Sequence, residues 1–243
     1  MVDVLAKLND DKHYYGRLGK MYLSNSDIGI LLGNPRMYGQ SLAQPSVNMI
    51  LGRYLHTALL EPEKLANFII CDAATRNNAK YREIMKNSNE PIMLTKEKMH
   101  LDKLVKMVND SEELSSLIYA KGNQYEVPAI GEIHGLEWKG KADIISELNV
   151  LDVKTTSDIN KFRKSAYMYN YDSQSFIYEE LFKKRMKFLV IDKEKEILGI
   201  FEASDEFVER GELKAYRAAE VYKRFFIENA PENINNYVLK DVL

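Results

Sequence analysis

Apolar residues return every three to four positions in the first half of the chain and every second position through the middle. Ile28, Leu31 and Leu32 mark a short helix, capped by Ser24 or Ser26 and ended by Asn34-Pro35. Met49, Ile50, Leu55, Leu59 and Leu60 mark a longer helix, opened by Ser46 and limited by Pro62. Residues 62–94 hold no sustained period beyond an apolar triplet, Phe68-Ile69-Ile70, that suits a strand. A connection of that length is either mobile or used for binding. Thr95 is placed to cap a helix over 96–118, with Met99, Leu101, Leu104, Val105, Val108 and Leu114 toward the core.

Residues 124–133 read as a strand that leads through His134-Gly135 into a hairpin of 141–146 and 150–155, with Glu147-Leu148-Asn149 as its turn. A helix over 165–184 follows, then strands over 187–191 and 196–203 around a charged turn. A last helix, capped by Ser204, runs to about 229 before Pro231. This order predicts an α/β fold with a central mixed β-sheet flanked by helices, in a single domain over 1–243. Its parts would be a poorly determined N-terminal segment over 1–20, a mainly helical part over 22–118, a sheet core over 124–203 and a C-terminal helix over 204–229.

Composition narrows the compartment. Cys71 is the single cysteine, which excludes an intramolecular disulfide and a thiolate zinc cluster and suits a reducing, cytoplasmic location. No apolar run nears the ~18 residues of a membrane span, and the first residues lack a signal-peptide core, so no membrane is expected as partner. The formal net charge of −2 gives no general pull toward nucleic acid; a binding surface must be a local patch.

The chemistry concentrates on the hairpin. Asp143 lies on its first strand, and Asp152 and Lys154 share a face of the second. Two carboxylates this close repel unless a cation lies between them, and with the backbone carbonyl of Val153 they can hold one or two Mg²⁺ ions. Such an ion activates water and neutralises charge on a phosphate, and Lys154 can orient that water. Gln174 and Tyr178, four apart on the next helix, project from one face and can hydrogen-bond a phosphate or water. Lys139, Lys141, Lys161, Arg163 and Lys164 cluster around the hairpin and can contact a phosphate backbone. Glu126 opens the neighbouring strand and can reach the same metal, although Glu132 and Glu137 compete for that role. Taken singly, each feature also fits a solvated face or a boundary pair.

Together these residues resemble a family. The run GKADII…LDVKTTSDINKFRKSAYMYNYDSQSFIYEELF is similar to the PD-(D/E)xK nuclease superfamily, with its restriction-endonuclease-like core. Within it, the likeness is to RecE-type (exonuclease VIII-like) phage and prophage exonucleases. LSNSDIGILLGNPRMYG and GRYLHTALLEPEKLANF resemble two further segments of that family, and Gln174…Tyr178 resembles the QxxxY motif of RecB-like nucleases. Ala142 stands where the family's name motif has proline. The resemblance implies that Asp143 and Asp152 are metal ligands, that His56 completes the metal site, and that Lys154 is the catalytic lysine. Gln174 and Tyr178 would orient DNA or water.

It also implies a Mg²⁺-dependent, or Mn²⁺-dependent, exodeoxyribonuclease encoded by a phage or prophage. Such an enzyme hydrolyses phosphodiester bonds from double-stranded ends, 5′ to 3′, and leaves 3′ strands for recombination by an annealing protein. The homo-oligomeric ring of the family, a trimer or tetramer, is expected with it. The alternatives are a structure-specific or restriction-like endonuclease, an RNA-directed nuclease, or a non-catalytic DNA-binding relative.

Overall fold

The computed structural model describes residues 2–40, 45–88 and 92–239. Two short helices, α1 (Val2–Leu8) and α2 (Asp11–Tyr14), begin the chain and bury Leu8 and Tyr14. The N-terminal segment is thus built into the fold. Then come α3 (Asn25–Gly33) and α4 (Val47–Leu60). Ser24 and Asp27 close a capping box on α3, and the Ser46 hydroxyl accepts from the Met49 N–H at the start of α4.

The connection over 62–94 is more ordered than its composition suggests. It holds β1 (Ile70–Cys71), α5 (Ala79–Met85) capped by Asn78, and β2 (Met93–Leu94), which pairs parallel with β1. The long helix expected after Thr95 is two: α6 (Thr95–Asp110) and α7 (Glu112–Ile118). They break where Asn109-Asp110-Ser111 offers side chains that compete for the backbone, and Ser111 caps the second. Glu97, by accepting from the Leu94 N–H at 2.9 Å, closes the start of α6 one residue before Thr95. Met49 and Met99 are 64% and 67% exposed, not in the buried stripes. Leu101, Leu104 and Val108 define the stripe of α6, and Met99, two residues from Leu101, points about 200° away from it.

The sheet is five-stranded, in the order β3 (Gln124–Ile133), β4 (Leu136–Ile145), β5 (Asn149–Thr156), β6 (Arg185–Asp192), β7 (Ile197–Glu202). Every neighbour is antiparallel except β5 and β6, whose parallel pairing requires the crossover through α8 (Phe162–Met168) and α9 (Tyr171–Phe182). One helix was expected there. Asn170 divides it by taking the left-handed conformation, φ 57°, that asparagine tolerates. α10 (Asp205–Phe225), capped by Ser204, ends the main fold.

Alternation along β6 divides the core. Phe188 and Val190 face a layer made by α3, α9 and α10, with Ile177, Ala215 and Ala219. Leu189 and Ile191 face a layer made by α4, α6 and α7, with Leu55, Leu104 and Leu114. The outcome is an α/β fold with a mixed sheet between helices, as the element order predicted.

Candidate metal centre

β4 and β5 share only two ladder pairs, Ile144↔Leu151 and Ile145↔Val150, and then separate. Asp143 fills the fork: its Oδ2 accepts from the Val153 N–H at 2.8 Å. The α4 stripe that buries Leu55 and Leu59 on the sheet brings His56 to the same place, with Nε2 2.9 Å from Asp143 Oδ2. On the other side, the pairs Tyr125↔Ile144 and Val127↔Ala142 set Glu126 opposite Asp143. Glu126 adopts φ 54°, in the left-handed region, a conformation that costs a non-glycine residue roughly 1–2 kcal/mol and is held only where the surroundings impose it.

One ligand atom each from His56, Glu126 and Asp143 falls within 4.8 Å of the others. Glu126 Oε1 lies 3.4 Å from His56 Nδ1, and it is buried without a hydrogen-bond partner among the described residues. A buried carboxylate oxygen in that state, beside a second carboxylate and an imidazole, suits a divalent cation of the Mg²⁺ or Mn²⁺ kind. Glu132 and Glu137 face each other near the far end of the β3–β4 hairpin, six residues or roughly 20 Å along the strand from Glu126.

Asp152 is buried beside this trio. Its Oδ2 lies 2.6 Å from Lys154 Nζ and its Oδ1 accepts from Gln174 Nε2 at 2.6 Å. Lys154 Nζ stands 4.7 Å from the Tyr171 ring centre. The Tyr178 hydroxyl donates to the Lys141 carbonyl at 3.0 Å and accepts from the Lys141 N–H at 3.3 Å. Gln174 and Tyr178 do share a face of α9, but both turn inward, one on a carboxylate and one on the β4 backbone. Val153 enters through its N–H.

Burial pushes the Asp152 carboxyl up, Lys154 pulls it back, and Asp143 adds to the rise, so it ends above the usual range. Burial also opposes ionisation of Asp143, but His56, then Lys154 and the Val153 N–H, hold it below that range. Burial disfavours the His56 imidazolium, and Asp143, Glu126 and Asp152 outweigh it, raising the pKa to about 9. Because this folded-state pKa exceeds the ordinary value of 6.5, His56 stabilises the metal-free protein fully below about pH 6.5, and the contribution is lost as pH rises through about 9. A metal ligand must be unprotonated. Mn²⁺ binding at pH 7 is therefore expected to release close to one proton, with affinity rising about tenfold per pH unit up to about 9. Calorimetry in buffers of different ionisation heats reads this directly; binding without proton release would remove His56 from the ligand set.

Two of the expected phosphate contacts are enclosed. Lys139 Nζ donates to the Tyr14 carbonyl at 2.6 Å, and Lys141 Nζ lies between Asp11, at 2.6 Å, and Glu126, at 3.1 Å. α2, through Asp11 and Tyr14, covers both lysines, so neither ammonium is free for a phosphate backbone. Lys161, Arg163 and Lys164 are exposed. Beside the trio opens a cavity of about 750 Å³, to which Asp11, Tyr15, Arg53 and Lys64 contribute along with His56 and Glu126. Sequence reasoning missed these four. Arg53 alone left a signal, one helical turn before His56 on α4.

Residues 36–231 match the family model described as a PDDEXK-like domain of unknown function (DUF3799). A crystal structure named "Putative exonuclease", from Eubacterium rectale, aligns with a TM-score of 0.66 at 17% identity, over 96% of this chain and 95% of that one. A second solved structure, of the protein SSO0001, aligns with a TM-score of 0.33 at 18% identity, over 70% of this chain and 85% of that one. No curated protein matches the sequence significantly. No helix among the described residues is long and apolar enough to cross a membrane.

Proposed function

Because this chain belongs to the PDDEXK-like family of unknown function DUF3799, we propose that it is a metal-dependent deoxyribonuclease acting on the ends of linear double-stranded DNA. The observation that carries this reading is the His56–Glu126–Asp143 trio, in which Glu126 Oε1 accepts no hydrogen bond among the described residues, placed beside the Asp152–Lys154 pair. In this proposal those three residues, with Asp152 and the Val153 carbonyl, would hold Mg²⁺ or Mn²⁺. A bound ion of this type lowers the pKa of its water and offsets charge building on the phosphate.

The chain's own groups have distinct tasks. Lys154, held between Asp152 and the Tyr171 ring, offers its ammonium to the phosphate oxygens as negative charge develops. Gln174 fixes the rotamer of Asp152, and Tyr178 fixes β4 through both backbone groups of Lys141. These two are positioning residues. Lys141, between Asp11 and Glu126, keeps one Glu126 oxygen engaged and leaves the other toward His56. The 5′ to 3′ polarity, the ring of subunits and the annealing-protein partner belong to the same proposal, supported by the likeness to RecE-type exonucleases.

A time course on linear duplex labelled at the 5′ or the 3′ terminus, beside a covalently closed circle, with Mg²⁺ or with EDTA, tests the reading. Expected is metal-dependent release of the 5′ label first, with the circle spared. Cutting of the circle would instead make it an endonuclease, and no release from any DNA would end the proposal.

A further inference from the structure

From Lys154 a line of aromatic contacts leads outward to the surface. Lys154 Nζ rests on Tyr171, and the Tyr171 ring lies 6.1 Å from the Tyr169 ring. Tyr169 is 63% exposed and Met168 beside it 65%. Large apolar groups so exposed are ordinary on a mobile loop, but this turn is anchored on every side. The Tyr169 N–H donates to the Ser165 carbonyl at 2.9 Å. The Asn170 carbonyl accepts from Asn25 Nδ2 at 3.1 Å and from the Ser173 hydroxyl at 3.1 Å. Lys214 Nζ donates to Asn170 Oδ1 at 2.9 Å and to the Tyr167 carbonyl at 3.2 Å. Four helices thus fix a backbone that presents an open ring to solvent. Arg163 and Lys164, on the preceding helix, are exposed close by in the chain.

We propose that Tyr169 is a stacking platform for a base of single-stranded nucleic acid next to the phosphate that Lys154 engages, with Arg163 and Lys164 on the flanking phosphates. This rests on the nuclease reading for the identity of the strand. An exposed aromatic ring on an anchored backbone, with cations five and six residues earlier in the chain, offers the combination by which proteins hold unpaired strands without reading sequence. A base inside a duplex has no free face to offer, so the platform selects a strand end that has left its partner. The site then favours frayed or single-stranded termini over blunt ones.

The test uses the full chain in EDTA, which stops metal-dependent cleavage, and a fluorescein-labelled oligothymidine of about twelve nucleotides. By fluorescence anisotropy, Tyr169→Ala is expected to bind about tenfold more weakly, and Tyr169→Phe, which keeps the π-face, within about twofold of the parent. An abasic strand of equal length should bind the parent no better than the oligothymidine binds Tyr169→Ala. Thermal melting checks folding, which an exposed side chain should not disturb. Equal affinity of Tyr169→Ala and the parent, or an equal loss in Tyr169→Phe, overturns the platform. The failures separate: a parent that binds through Tyr169 yet releases no nucleotide with Mg²⁺ supports the platform and ends the nuclease reading. A parent that digests DNA while Tyr169→Ala binds normally does the reverse.

Discussion

A Lys154→Ala variant should still bind Mn²⁺ through His56, Glu126 and Asp143, more weakly as Asp152 takes up a proton, and release nucleotides about 10²- to 10³-fold more slowly, the usual loss when one preorganised group facing a developing oxyanion is removed. The split follows from geometry. The trio of ligand atoms comes from His56, Glu126 and Asp143, and Lys154 contributes to none of it. Its ammonium is bound instead to Asp152, at 2.6 Å. Asp143→Ala should lose both metal binding and turnover, because it also removes the acceptor for His56 and for the Val153 N–H. Deleting Lys154 leaves the Asp152 carboxylate buried without its cation, which favours a proton there and lowers stability. Lys154→Met, which keeps the stem against Tyr171, is therefore the companion variant. Rates come from acid-soluble nucleotide release, metal binding from calorimetry. Parental digestion by either Lys154 variant would remove this lysine from the chemistry.

The second large effect is on folding. Gly211→Ala should destabilise the protein by about 3 kcal/mol, a fall in Tm of roughly 6–12 °C for a chain of this size. A Cβ at position 211 would lie 2.0 Å from the Asp172 carbonyl oxygen, 2.4 Å from its carbon and 2.8 Å from the Ser173 nitrogen. All three are backbone atoms, so no rotamer change relieves the clash and α10 must move off α9. That contact is also pinned by Lys214 on the buried Asp172 carboxylate, at 2.9 Å. Because α9 carries Gln174 and Tyr178, activity should fall with stability. Thermal unfolding that matches the parent would show the two helices to be less closely seated.

Much of this was readable from the chain because it depends on local periodicity. The two-residue alternation of 150–155 set Asp152 and Lys154 on one face, whereas His56 stood out only through the family resemblance and not through the α4 stripe. Glu126 could not be chosen over Glu132 and Glu137 until the β3–β4 register was known, since a hairpin's register follows from its turn. Here that turn is His134-Gly135, with φ of 51° and 72°. The enclosure of Lys139 and Lys141 left no trace at all. It depends on contacts more than 120 residues away in sequence, made by Asp11 and Tyr14 of α2, a four-residue helix too short to show an amphipathic pattern. The inward turn of Tyr178 was equally hidden, because a hydroxyl bonded to backbone reads the same in sequence as one facing a substrate.

The left-handed backbone at Glu126 sets thermal robustness against chemistry at one position. Glycine would relax the conformation there and strengthen the fold, yet it would take away a carboxylate of the proposed cation site. Under the proposed function, selection of this chain for heat resistance alone would drift toward glycine at 126 and yield a hardier but inert protein.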